Sequence, residues 1–359
     1  MHTAIASKYK NFVPDYRHIL DVAWNRHPAR MPIYEHIISP VIMEKIMGTQ
    51  FAHYEFSTDE GELRHYFQNY CRFFKEMTYD TVSYEFPIIY ILPAQGASIL
   101  GKQPGPIQSR KDFEAIDWDF LVRRYIEHAD IKFRILAEYI PDGMKAIGGV
   151  ANGVFEISED LVGIEYLSYM RVDDPQLFED IYVKIGQLMA SIWDWFLQNH
   201  SHMYCVCRFG DDLGFKSGLL TSPQIIRKNI IPQYQHIIDA VHAKNLPFLW
   251  HSCGCIFEIM EDVIAAGIDA KHSNEDIIAN YSKWIEDYGS RIGLFGGIDV
   301  NVLCQFNPAQ IYNYVFEQGS KFRAKARGYA LGSGNSIPDY IPVEGYLAMI
   351  KAANAIRTI

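Results

Sequence analysis

A chain of 359 residues that is 49% hydrophobic and 14% aromatic has enough apolar material for a large buried core, and at 21% charged it has a globular composition. A net charge of −10 argues against a surface that tracks nucleic-acid phosphates, and no apolar run reaches the roughly 18–20 residues a bilayer demands. The opening stretch MHTAIASKYKNFVPDY lacks a signal peptide's apolar segment, so a cytoplasmic protein with reduced cysteines is expected.

Short β-rich runs alternate with longer amphipathic stretches from end to end, the pattern of a parallel sheet with crossover helices. The first predicted strands are MPIYEH (31–36) and TVSYEF (81–86). Between about 97 and 145 lie two predicted helices, SRKDFEAIDW and DFLVRRYIEHADIKFRILAEYI, which read as an elaborated crossover and a candidate lid or rim. KAIGGVA (145–151) follows, then a helix over 174–199 with Asp174 as cap and Pro175 in the first turn. MYCVCRF (203–209) precedes a second such helix over 222–245, which opens on Ser222 and Pro223. The remaining strands are PFLWHSC (247–253), GIDAKH (267–272), RIGLFGG (291–297) and GYALGSG (328–334). Eight strands with room for a helix between neighbours predict one (β/α)₈ TIM barrel, a single domain over 1–359 with an elaborated N-terminal region.

Most of these strands end in a reactive residue: Glu35 and His36, Glu85, Arg208 with Asp211 and Asp212, His251 and Cys253, His272 with Asn274, Asp299, and Ser333 with Asn335. In a barrel such ends converge on one mouth. Each alone has a duller reading, a capping Asp or a satisfied core His, but the joint placement points to an active site. Cys71 and Cys304 read as small buried hydrophobes, Cys205 and Cys207 as core, and Cys255 as the opening of a helix.

The blocks PFLWHSCGCIFEIMEDVIAAGIDA, RIGLFGGIDVNVL and GYALGSGNSIPDYIPVEGYLAMIKAA resemble the uroporphyrinogen decarboxylase superfamily, and FGDDLGFKSGLLTSPQIIRKNIIP extends the likeness back to residue 209. A looser likeness runs through KNFVPDYRHILDVAWNRHPARMPIYEH and YDTVSYEF. In the decarboxylase branch an arginine-rich loop follows the strand at MPIYEH and an Asp ends the next one. Here PIYEHIISPVIMEK has no Arg and the next strand ends in Glu85, so a tetrapyrrole with eight carboxylates lacks its clamps. The cobalamin-dependent methyltransferase branch holds zinc through a His-x-Cys pair and a further Cys in the last loop. His251 and Cys253 stand at the pair, on one face of the strand by alternation, while the last loop, GSGNSIP, offers Asn335, or Gly334 with a different gap. The missing ligand is expected from His272, with Asp212 or Glu85 behind it.

The resemblance therefore implies a corrinoid-dependent methyltransferase that moves a methyl group between a small donor and the cobalt of a separate corrinoid protein, with zinc as Lewis acid. The aromatic content suits an aryl methyl ether as the donor and equally suits a large barrel core, and demethylation is the direction expected. Glu85, Asp212 and His36 are the expected acid–base residues, and Glu35, Arg208, Asn274, Asp299, Ser333 and Asn335 the expected substrate contacts. Two other readings stand beside it. One is a cofactor-independent decarboxylase or lyase that holds a carboxylate on Arg208, the other a non-catalytic barrel that binds a corrinoid or tetrapyrrole. Neither nucleic acid nor membrane is an expected partner, and a homodimer is left open.

Overall fold

The computed structural model describes residues 9, 11–93 and 103–357. Residues 97–102 of the predicted lid lie outside these. Nine strands form among the described residues: β1 (Thr81–Pro87), β2 (Lys145–Ala151), β3 (Tyr204–Gly210), β4 (Gly214–Phe215), β5 (Gly218–Leu219), β6 (Phe248–His251), β7 (Ala270–His272), β8 (Gly293–Ile298) and β9 (Tyr329–Ser333). The sequence pattern had not suggested β4 and β5, which pair as a small antiparallel hairpin above the sheet. The other seven make one curled parallel sheet in the order β1-β2-β3-β6-β7-β8-β9.

The remaining predicted strand, MPIYEH, does not become a full strand. It meets β9 through the Tyr34 N–H to the Leu331 carbonyl (2.9 Å) and the Leu331 N–H to the Pro32 carbonyl (3.1 Å), a single bridge at Ile33. Pro32 has no N–H to extend the ladder. On its other side the segment reaches β1 through a side chain, the Ser83 hydroxyl donating to the His36 carbonyl at 2.5 Å. The barrel is thus completed by a segment that is seamed rather than laddered.

Glu35 fastens that seam. Its carboxyl group accepts from the Ser333 N–H (2.9 Å) and lies 2.5 Å from the Ser333 hydroxyl, with 1% of the residue exposed. Its expected role as a substrate contact is corrected: both oxygens face β9.

The base of the barrel is plugged by the helix Arg17–Ala23, whose Ile19, Val22 and Ala23 pack on Ile147, Val206, Leu249, Ala270, Phe295 and Ala330 from the strands. Gly293 allows this approach, since a Cβ there would lie 2.1 Å from the Val22 carbonyl oxygen. A stoppered base leaves the C-terminal ends of the strands as the accessible face.

The outer helices follow the sequence signals closely. Pro175–Asn199 starts where expected, with the Asp174 carboxylate accepting from the Leu177 N–H at 2.9 Å. The predicted 222–245 helix is interrupted by a π-turn at Ile226–Ile230 ahead of Pro232, whose missing N–H breaks the regular α ladder there. Cys304 is exposed, not buried as the pattern implied, because the short helix Val300–Gln305 turns that position outward. Among the described residues, no helix is long and apolar enough to cross a membrane.

Burial raises the Glu35 carboxyl group from 4.5 to about 8, so it is uncharged near neutrality. The folded state then holds a proton that the unfolded chain releases between those values, and stability attributable to Glu35 is full below about pH 4.5 and is lost as the pH rises through about 8. Thermal midpoints measured from pH 5 to pH 8.5 should accordingly fall more steeply for the parent than for Glu35→Gln. Parallel curves would show that Glu35 carries no such proton.

Candidate active site

The parallel register sets His251 of β6 directly beside His272 of β7, and Gly210 of β3 beside His251 on the other side. Gly153 leaves room for Asp211 at the strand end, since a Cβ there would lie 2.1 Å from the Asp211 Cβ. His36 arrives from the seam segment and lies flat on His251, with ring centroids 4.0 Å apart and planes 15° from parallel.

The tautomers in this stack follow from one acceptor. The Ser333 carbonyl, 3.1 Å from His272 Nε2, can only accept, so that nitrogen carries the proton. His272 Nδ1 is then a lone pair, and His251 Nδ1, 2.7 Å away, must donate to it. This leaves His251 Nε2 as a lone pair aimed at Cys253 Sγ (3.4 Å) and at the Asp212 carboxylate (3.8 Å). Both rings are neutral: burial holds His272 down to about 3, and burial together with its neighbour His272 holds His251 well below the usual range.

Among the described residues two groups can gather ligand atoms within 4.8 Å: Asp212, His251 and Cys253, and His36, His251 and His272. The first fits zinc by chemistry and by direction. It offers an imidazole lone pair, a sulfur and a carboxylate that keeps 43% of its side chain open to solvent. The second does not, because imidazole lone pairs lie in the ring plane and the nearly parallel planes of His36 and His251 never meet on one ion. His272, the expected third ligand, is therefore placed behind His251, where it fixes that ring's tautomer. Asp212 stands in the ligand position instead, held by the Cys253 N–H at 2.8 Å. β6 ends at His251, so it is this bond and not strand alternation that orients Cys253.

Asn335 and Ser273 address the sulfur from the other side. The Asn335 amide nitrogen and the Ser273 hydroxyl are each 3.3 Å from Cys253 Sγ. Asn335 thus sits against Cys253, and its amide donates to the sulfur.

On the far face of His36 opens a cleft of about 310 Å³, walled by Phe56, Tyr66, Tyr70, Tyr84 and Phe86 and floored by His36, Glu85 and Arg208. Arg208 has no solvent exposure. Its Nε and Nη2 lie 2.8 and 2.6 Å from one Glu85 oxygen, and its Nη1 donates to the Tyr34 hydroxyl (2.7 Å) and the Ser83 hydroxyl (3.0 Å). With its charge met by Glu85, the guanidinium is a poor clamp for a substrate carboxylate, which weakens the lyase reading. His36 lies between Tyr34 (3.4 Å from Nδ1) and Glu85 (3.6 Å from Nε2). Burial and the nearby Arg208 charge keep its ring neutral.

The other expected contacts lie apart from this cleft. Asp299 caps the helix Val300–Gln305 through the Asn301 N–H (2.7 Å) and accepts from the Asp276 N–H (2.7 Å). Asn274 accepts from the Gly297 N–H at 3.0 Å, and the Ser333 hydroxyl belongs to Glu35. Sequence reasoning missed Tyr34 and Ser83, which hold Arg208, and Glu156, which accepts from the Asp212 N–H at 3.3 Å. Glu156 sits in the first turn of the helix Val154–Val162, whose start is fixed by Asp211 accepting from the Phe155 and Glu156 N–H groups at 3.0 Å. No strand-end pattern marks such positions.

Removing one partner of the Arg208–Glu85 pair leaves a buried charge alone. Arg208→Met should therefore cost on the order of 3–5 kcal/mol in urea unfolding, and the double variant Arg208→Met/Glu85→Gln should recover part of that loss. Equal stability for the two variants would show the pair to be uncoupled.

The fold is similar to that of a methyltransferase from Methanosarcina mazei, with a TM-score of 0.73 at 16% identity over 94% of this chain and 97% of that one. A xylanase, XynB from Paenibacillus barcinonensis complexed with a conduramine derivative, is far less similar, with a TM-score of 0.35 at 10% identity over 72% of this chain and 98% of that one. No curated protein matches the chain in sequence. The model of the uroporphyrinogen decarboxylase (URO-D) family matches residues 65–356, and the chain belongs to that family.

Proposed function

We propose that this protein is a methyltransferase that moves a methyl group between a small-molecule donor and the cobalt of a separate corrinoid protein, with zinc held by His251, Cys253 and Asp212. The observation that carries this reading is the convergence of those three ligand atoms within 4.8 Å at the open end of the barrel. The overall likeness to a methyltransferase supports it. When bound, zinc supplies a Lewis acid for the heteroatom that loses or gains the methyl group.

The chain's own residues prepare that chemistry. His272 keeps the His251 lone pair pointed at the ligand group, and Asp212 fixes the backbone of Cys253. His36, neutral and with Nε2 toward Glu85, offers an N–H to charge developing on a leaving oxygen in the cleft. The five aromatic side chains around the cleft suit a flat aryl methyl ether as donor, and the adjoining barrel mouth leaves an approach for a partner's corrinoid.

Protein purified without chelator should contain about one zinc per chain, measured by plasma mass spectrometry, and His251→Ala/Cys253→Ser should lose it while keeping its circular dichroism spectrum. Adding aryl methyl ethers and a reduced corrinoid protein should convert the cobalt spectrum to that of the methylated form. Metal-free protein even after zinc addition, together with an unchanged cobalt spectrum for every aryl and alkyl donor, would overturn the proposal in favour of the lyase.

A further inference from the structure

Two residues that no strand-end pattern singled out converge on Cys253 from β7. Ser273, directly after the strand, is a non-glycine residue in the left-handed region, at φ +96°. A side chain there is strained and persists only where its surroundings hold it. What holds it is Lys271, two residues back and 3% exposed, whose ammonium donates to the Ser273 carbonyl. The ammonium itself is fixed from the other side by Trp284 of the helix Tyr281–Tyr288, whose ring centroid is 3.8 Å away. In this posture the Ser273 hydroxyl lies 3.3 Å from Cys253 Sγ, matched by the Asn335 amide at 3.3 Å.

We propose that Lys271 is a positioning residue for the metal group, holding Ser273 in its left-handed turn so that Ser273 and Asn335 together hydrogen-bond the Cys253 thiolate and withdraw charge from it. The inference rests on the zinc reading given above. Its chemical consequence is a site with one thiolate whose sulfur is doubly hydrogen-bonded. Two thiolates would donate more charge to a bound ion and blunt its Lewis acidity; one thiolate, with part of its charge drawn off by an O–H and an N–H, leaves the ion electron-poor. Lys271 acts on the metal group through Ser273 and through its own buried charge, which favours the thiolate of Cys253 and the carboxylate of Asp212.

The test uses cobalt(II) in the full-length protein, because the sulfur-to-cobalt charge-transfer band reports the energy of the sulfur lone pair directly. Cys253→Ser should abolish the band in otherwise folded protein. Ser273→Ala removes one donor, raises the sulfur lone pair and should move the band to lower energy. Lys271→Met should reproduce the shift of Ser273→Ala and weaken cobalt binding by about 10-fold, with Ser273→Ala available should the lysine variant fail to fold. A parent band that none of the Ser273 and Lys271 variants moves would overturn this inference and leave the metal reading standing. A parent protein that shows no band at any cobalt concentration would overturn both.

Discussion

A guanidinium without access to water must find its partners inside the protein, and Arg208 finds them on two separate elements: Glu85 and Ser83 of β1 and Tyr34 of the seam segment. That segment meets β1 through side chains, the Ser83 hydroxyl donating to the His36 carbonyl and His36 facing Glu85, and the same Ser83 hydroxyl serves Arg208. The arginine on β3 thus ties the seam segment to β1. A purely apolar interior would leave that junction without direction, whereas a charged fork fixes the separation of its partners. The closure of the barrel and the geometry of its mouth depend on this one cluster.

From Arg208 the order passes outward. Tyr34 and Glu85 flank His36, His36 lies on His251, and His251 is turned by His272 so that its Nε2 lone pair meets Cys253 and Asp212. The imidazole stack divides the mouth into two compartments with opposite chemistry. On one side is an aromatic cleft whose floor carries a neutralised ion pair; on the other is a polar group of a sulfur, a carboxylate and an imidazole lone pair. In the methyl transfer proposed above, one compartment would hold an apolar donor while the other polarises the atom that carries the methyl group.

Burial sets the protonation states that make this division work. Desolvation keeps His36, His251 and His272 neutral, so lone pairs rather than charges face the ligand group. It also keeps Glu35 protonated, which lets a carboxyl group serve as a seam between MPIYEH and β9 without burying an unpaired charge. The same desolvation pushes the Cys253 thiol up, which makes the donors from Ser273 and Asn335 the local means of favouring its thiolate.

The sequence by itself determined the elements whose signal is local. Apolar runs of the right length gave seven of the laddered strands, Asp174 and Ser222 marked helix starts, and His251 with Cys253 stood out because their spacing and surroundings are contiguous in the chain. Tertiary structure decided everything that depends on distance between elements. On paper His272 is the better third ligand and Asp212 stands behind it, and only the register of β6 against β7, which sets His272 Nδ1 on His251 Nδ1, makes the first a support and the second a ligand candidate. Glu35 reads as a strand-end acid, yet the pairing of its segment with β9 turns it to Ser333. Nothing in the sequence pattern singles out Lys271, and only the packing of Trp284 against β7 makes it a strut. Periodicity reports which face of an element is buried, but the partner that a buried polar group meets is fixed by neighbours far away in the chain, and those are set by the fold as a whole.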